Sequence, residues 1–487
     1  MKNYLGLITL LFTLVVTSCK DDDNTIINPP IGDIIDLKSH SITPVFLKKM
    51  SGFTDIEIYN YLSSEDTYIP DFTYGSMADG AGLLKNEDGT YTLINNIEAD
   101  YAIARITLDE TFKPVKGEHI LNATATANTA QCSGSMITQE EHGFGPLYLS
   151  GGEWGGNSKG VFATDPYRDA SIASTPRMLT AMGQWSTENA VAIGKDAYPN
   201  KTVVFIGDDN SNNEIPSGQL GMYVGNHGDV EGGKLYGLKV TSAGITYEMD
   251  MEEGKEYDME FVELTEKAID LLDAEAKTKG VMGFSRLEDI DWRRGSAANN
   301  REVYLAVTGR DKPDLIGKGT RSGRVYKVVL NENDPTGAGK IICVLDGDKI
   351  GGKAEAFHSP DNILVTENYA YIQEDPNGIQ DFKPTADHYA RLYQYDLNTG
   401  TLKAVLECDQ IAAAAAGYGN TTSTWEITGM IDISDIIGVD ETFIMITQNH
   451  KWEKADGTPF TDPNANPDIA GSRKEGSMMF VIKGLGR

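Results

Sequence analysis

One unit recurs along this chain and constrains its fold more than any other feature. It is a short strand-like run headed by an acidic residue. A second run of β-branched and aromatic residues follows within about twenty positions. "STENAVAI" (186–193) precedes "TVVFIGDD", "RLEDIDW" (286–292) precedes "EVYLAVTG", "SPDNILV" (359–365) precedes "YAYIQED", and "WEITGMIDIS" (425–434) precedes "TFIMITQ". "MADGAGLL" (77–84) before "TYTLINN" is a fainter first copy, and "CSGSMITQEE" (132–141) falls where another is due. Six heads, near 79, 132–140, 188, 288, 361 and 426, predict an all-β chain folded as a six-bladed β-propeller, with the innermost strand of each blade lining a central channel. A pair of β-sandwiches is the rival architecture. The propeller is expected to fill residues 41–487 as one domain, interrupted by a helical insertion near 263–280. There "ELTEKAIDLLDAEAKTKG" has Thr265 placed as an N-cap, apolar residues at helical spacing and Gly280 to close it.

If inner strands all start at one end of the channel, their heads converge. Asp79, Cys132, Glu140, Glu188, Glu288, Asp361 and Glu426 would then face one another. Close carboxylates do not all remain ionised without cations. Oxygen donors suit calcium, and a thiolate adds a soft ligand suited to a transition metal. Cys132, in a small polar context, reads as a loop residue. Cys343 in "KIICVLDG" and Cys408 in "LKAVLECDQ" read as buried strand residues, or as a pair.

The N-terminus bears on location. Met1-Lys2-Asn3 and the apolar run Leu5 to Val16 lead to Val16-Thr17-Ser18-Cys19, which resembles a bacterial lipobox. The expectation is a signal peptide over 1–18, a lipidated Cys19 and an acidic linker over 19–40. "KDDDN" (20–24) resembles the export tag of Bacteroidetes surface lipoproteins. This implies an outer-membrane lipoprotein exposed at the cell surface, held to the membrane by its lipid alone. A net charge of −30 disfavours nucleic acid as a partner and favours cations.

Other chemistries find little support. "GNSKG" (156–160) matches G-x-S-x-G but lacks the strand and helix of a nucleophile elbow, so it reads as a turn. "GDVEGGKL" (228–235) has P-loop spacing but Leu235 where a Ser or Thr would hold magnesium. His142 lies ten residues beyond Cys132 with no third group in view for a thiol nucleophile. Seven histidines make histidine-rich metal sites improbable. Trp154, Trp185 and Trp425 read as blade packing.

Taken in order, "MADGAGLL", "CSGS…TQEE", "FIGDDN", the helix before "FSRLEDIDW" and "HSPDNILV" resemble the PhoX-type alkaline phosphatases, over about Asp71 to Gln448. The resemblance implies a six-bladed propeller carrying paired ferric iron and calcium, and hydrolysis of small phosphorylated substrates, phosphomonoesters by default. By the same resemblance Cys132 would bridge the irons, and Glu188 and Glu288 would be iron ligands. Asp361 and the Glu140/Glu141 pair would also hold metal, calcium for the glutamates, and Arg286 would hold the phosphate. A shared strand would let Arg286 and Glu288, at i and i+2, enter the channel together. The family's Thr-Pro-Trp-Gly-Thr-Trp stretch after the cysteine is missing here. Its Asn-His-Glu motif stands as "NNIE", with Ile97 for histidine and Glu98 kept, and Thr187 stands where a histidine is common. These departures leave a second expectation: a non-catalytic calcium-binding propeller that binds a ligand or partner at the cell surface.

Overall fold

The computed structural model describes residues 35–376, 388–468 and 474–487. The leader, Cys19 and the acidic tract "KDDDN" lie outside the described residues. Packing begins ahead of residue 41, since Ile35 and Leu37 already lie against the core. The unit that contains them runs from Ile35 to Arg487. Among the described residues, no helix is long and apolar enough to cross a membrane.

The fold is an all-β propeller. Its inner strands are Ala78–Lys85, Thr129–Ile137, Thr187–Ala192, Leu287–Trp292, Pro360–Val365 and Glu426–Asp432. Each lies against the next, and the sixth returns to the first. All six line a central cavity of about 850 Å³. Each leads an antiparallel meander, as with Ala78–Lys85, Tyr91–Ile97, Ala102–Leu108 and Pro114–Leu121. Strands within a meander are buried on both faces and read as continuous apolar runs. "TVVFI" within Lys201–Asp208 is one such run, buried throughout. Outer strands alternate instead. In Glu256–Leu264, Tyr257, Met259 and Phe261 are buried while Glu256 and Asp258 are exposed.

The expectation of six separate blades needs correction, because the described strands form five sheets. The third and fourth meanders merge into one ten-stranded sheet. Strand Glu256–Leu264, added at the outer edge of the third, pairs antiparallel with Gly339–Asp346, the outermost strand of the fourth (Tyr257↔Ile341). The N-terminal strands close the ring. Glu57–Ser63 completes the sheet of Glu426–Asp432, Thr442–Asn449 and Gly476–Lys483, and Leu47–Lys49 pairs with Leu402–Cys408.

The insertion helix is shorter than expected, Ile269–Lys279. Thr265 is not its N-cap. The Thr265 hydroxyl and amide both donate to Glu275, which ties residues 265–266 back onto the helix from outside it. Gly280 closes the helix as expected, at φ 76°, where a Cβ would be strained. "GNSKG" is the turn between Leu147–Gly155 and Gly160–Thr164, and "GDVEGGKL" runs through the turn into Lys234–Val240. Cys343 and Cys408 are both free and buried, so they are not a pair.

Candidate metal centre

The six heads lie near the starts of the inner strands, and the backbone there is irregular each time. In five of the strands the ladder register shifts across the head, at Ala78/Ala81, at Thr129/Gln131 and Gln131/Gly134, at Thr187/Ala190, at Leu287/Ile290 and at Pro360/Asn362; in the sixth it shifts just past Glu426, at Thr428/Ile431. Such irregularities re-aim side chains and interrupt pairing. Four of these strands are also entered through a non-glycine residue in the left-handed region: Met77 (φ 55°), Asn128 (φ 56°), Arg286 (φ 65°) and Ser359 (φ 63°). Each costs about 1–3 kcal/mol and persists only where the surroundings hold it. Glycines let neighbouring strands close on the heads. A Cβ on Gly151 would lie 2.0 Å from Glu188 O, and one on Gly207 would lie 2.4 Å from Glu288 O.

The result is a buried acidic ring. Asp79, Cys132, Glu188, Glu288, Asp361 and Glu426 are between 2% and 8% exposed. Ligand atoms of Asp79, Cys132 and Glu188 lie within 4.8 Å of one another, as do those of Glu98, Cys132 and Glu153. Cys132 is therefore shared by two groups of oxygen donors. It lies on a strand, not in a loop, and its Sγ donates to Glu153 Oε2 at 3.1 Å. Its thiol is held far above the ordinary range, first by burial and then by the charges of Glu188, Glu98, Glu153 and Asp79.

The carboxyls respond in the same way. Burial, followed by the negative charge of neighbours, pushes Asp79, Glu153, Glu188 and Glu426 well above their ordinary values. Asp361 is raised to about 8, by burial and then by Asp375. Glu288 is raised by burial although Arg286 works against it. Protein donors offset little of this. Trp154 Nε1 and Gln448 Nε2 each donate to Glu98 at 2.6 Å, Ser133 N donates to Glu188 at 3.1 Å, and the Thr428 hydroxyl donates to Asp79. One sulfur among many carboxylate oxygens, with this much uncompensated charge, fits a mixed centre of soft and hard cations.

Arg286 is the one guanidinium in direct contact with this ring among the described residues. Its Nε and Nη2 donate to Asp209 at 3.0 Å each, and Nη2 lies 2.5 Å from Glu288 Oε1. Nη1 has no partner among the described residues. Arg286 reaches the ring by its left-handed turn, not by sharing a strand with Glu288, so the i, i+2 argument gave the right neighbours for the wrong reason.

The structure does not place Glu140 and Glu141 in this centre. Strand Thr129–Ile137 carries the chain down the channel, and both glutamates follow in the short helix Gln139–His142, past its far end. Glu141 pairs with Arg294 at 3.4 Å, and Arg294 also holds Asp291 and the Val365 carbonyl at the far ends of other inner strands. Sequence reasoning missed Glu153, Asp209 and Asp375. Glu153 is a lone acid in the glycine-rich "GGEWGG", and Asp209 ends "FIGDD"; neither heads a repeat.

A family model described as alkaline phosphatase PhoX matches residues 157–438. That span contains Glu188, Arg286, Glu288, Asp361 and Glu426, and begins after Asp79 and Cys132. The structure is similar to that of Pseudomonas fluorescens PhoX in complex with vanadate, a transition state analogue. The TM-score is 0.62 at 13% identity, covering 90% of this chain and 96% of that one. The PQQ-bound aldose sugar dehydrogenase of Streptomyces coelicolor is similar with a TM-score of 0.37 and 9% identity, over 88% of this chain and 98% of that one. No curated protein sequence matches the chain.

Proposed function

The chain belongs to the alkaline phosphatase PhoX family, and from that premise we propose that it is a metal-dependent phosphate-ester hydrolase acting on phosphomonoesters at the cell surface. The observation that carries the reading is the placement of Arg286. A guanidinium is fixed by Asp209 and Glu288 beside a buried acidic ring, and its Nη1 is still available to an anion. A guanidinium anchored by its Nε–Nη2 edge and presenting Nη1 suits a phosphate oxygen, and it is already oriented before substrate arrives.

Cys132, Asp79, Glu98, Glu153 and Glu188 are the residues that would hold the metals, which we take to be iron at the thiolate and calcium at oxygen-only positions. Bound there, the metals would supply positive charge for the phosphate oxygens and an activated oxygen nucleophile. The protein's own part is to keep the ligands buried and aimed. Bulged strand starts point the carboxylates inward, Trp154 and Gln448 orient Glu98, and Asp209 orients Arg286. Glu98 keeps its place in the Cys132 group despite Ile97, which weakens the binding-only alternative.

Surface location rests on the lipobox-like "VTSC" and the acidic tract after it. Hydrolysis of a chromogenic phosphomonoester by purified protein supplied with iron and calcium tests the activity. Turnover that falls sharply in Arg286→Lys is expected. A folded, metal-loaded wild type with no turnover would defeat the reading. Lipid labelling lost in Cys19→Ala tests the anchor.

A further inference from the structure

The metal centre is a ring of acids, but the loops around it carry two cations with no acidic partner among the described residues. Inner strands start at the head end, so the antiparallel strand that follows each one returns there. Three such returns belong to successive blades: Leu147–Gly155, Lys201–Asp208 and Glu302–Val307. The loop after the first holds Lys159, the loop after the second Asp209 and Asn213, and the loop after the third Arg310. Lys159 Nζ donates to Ser186 Oγ at 2.9 Å, and the Ser186 carbonyl accepts from the Asp209 amide at 2.8 Å. Arg310 Nε donates to Asn213 Oδ1 at 2.8 Å. The backbone that carries Arg310 is locked beside Arg286. Thr308 N donates to the Arg286 carbonyl at 3.0 Å, Gly309 N to the Ser285 carbonyl at 2.9 Å, and Arg310 N to the Thr320 carbonyl at 3.0 Å. Asn212 Oδ1 accepts from the Glu214 and Ile215 amides, which braces the loop that presents Asn213.

Arg310 is half-buried, and its Nη1 and Nη2 have no partner among the described residues. Burial and then the charge of Arg286 hold its guanidinium below the ordinary value, with Asp209 working against both. Asp209 cannot serve as its counter-ion at contact, since both carboxylate oxygens already accept from Arg286. A second guanidinium held near the first, without a carboxylate of its own in a chain of net charge −30, is a place for an anion. Building on the phosphatase reading, we propose that Arg310 receives a second anionic group of the substrate. The substrates are then phosphomonoesters that also carry a carboxylate or a further phosphate. A planar guanidinium with both terminal nitrogens open matches either group, and an ester with a neutral tail leaves it unused. Asn213 is a positioning residue, acting through the Nε of Arg310. Lys159 adds positive field on the other flank of the Asp209 loop.

The test uses the full chain supplied with iron and calcium, and three non-hydrolysable ligands that differ only in the tail: benzylphosphonate, 4-carboxybenzylphosphonate and p-xylylenebisphosphonate. Calorimetry is expected to show wild type binding a charged-tail ligand about tenfold tighter than benzylphosphonate, and the tighter of the two charged ligands names the group. Arg310→Gln should abolish that preference and leave benzylphosphonate affinity unchanged. Asn213→Ala should reduce the preference without moving the unfolding midpoint. The proposal is overturned if wild type shows no preference for a charged tail. It is also overturned if Arg310→Gln weakens all three ligands equally, which would put Arg310 on the scissile phosphate instead. Should Arg310→Gln fail to fold, Arg310→Lys and Asn213→Ala decide the matter: an undiminished preference in both overturns it. The preference is read without hydrolysis. A folded, metal-loaded protein that keeps it but turns over no ester defeats the phosphatase reading alone, and turnover without the preference defeats this site alone.

Discussion

The two ends of the central channel are both acidic, and they settle their charge differently. At the far end, Glu141 and Asp291 share Arg294, and Asp432 and Asp435 share Arg487. Arg294 also stacks on Trp292, 4.4 Å from the ring centroid. Each of those acids is paired with a cation from the chain itself. At the head end, Asp79, Glu98, Glu153 and Glu188 gather around Cys132 and Glu288, Asp361 and Glu426 continue the ring, with Arg286 alone against them among the described residues. Only the head end combines shifted registers, left-handed entry residues and glycines packed against backbone. An acidic cluster whose every member is paired with one of the chain's own arginines is structure. One assembled at the cost of backbone strain and left unbalanced is built for something that is not protein.

Removal of metal should give the largest effect and separate the two ends most clearly. Chelation is expected to abolish hydrolysis and to lower the unfolding midpoint. A cation present at about 100 times its dissociation constant stabilises by about 2.7 kcal/mol. Unchanged activity after exhaustive chelation would erase the distinction. Next, Arg286→Lys keeps the charge but loses the fork, and kcat/KM should fall about 10²–10³-fold, or about 2.7–4 kcal/mol. The midpoint should scarcely move; a large stability loss with normal turnover would make Arg286 a structural ion pair like those at the far end.

Arg294→Met should do the converse. It strips Asp291, 5% exposed, of its counter-charge, and is expected to cost about 1–3 kcal/mol in denaturant unfolding with turnover preserved below the midpoint. The smallest effect belongs to Glu141. Burial works to raise its pKa, but Arg294 and His142 hold it below the ordinary value of 4.5. A depressed folded value means its contribution is complete above that ordinary value and fades as pH falls through the folded one. Its side chain is 40% exposed, so Glu141→Gln should remove only about 0.5 kcal/mol at neutral pH, and nothing in strong acid. A larger loss at low pH than at neutral pH would reverse that sign.

The contrast also marks what could be read from sequence. The inner strands were legible because each begins with the same local pattern, so Glu188, Glu288, Asp361 and Glu426 were placed by repetition. Glu140 and Glu141 were assigned to the centre by nearness to Cys132 in sequence. A nine-residue strand, Thr129–Ile137, separates them in space. Had "CSGSMI" been read as strand instead of loop, the period would have carried them away. Glu153, Asp209 and Asp375 lie on neighbouring strands and turns, where no repeat announces them. The merger of the third and fourth blades is an outer-edge pairing of Glu256–Leu264 with Gly339–Asp346, a tertiary choice that neither strand encodes alone.

Metal content per chain, measured in three purified proteins, tests the central claim most directly. The account predicts that wild type and Glu140→Gln/Glu141→Gln carry the same iron and calcium, while Cys132→Ser folds but loses its iron. Full iron in Cys132→Ser, or loss of metal in the far-end double variant, would contradict it.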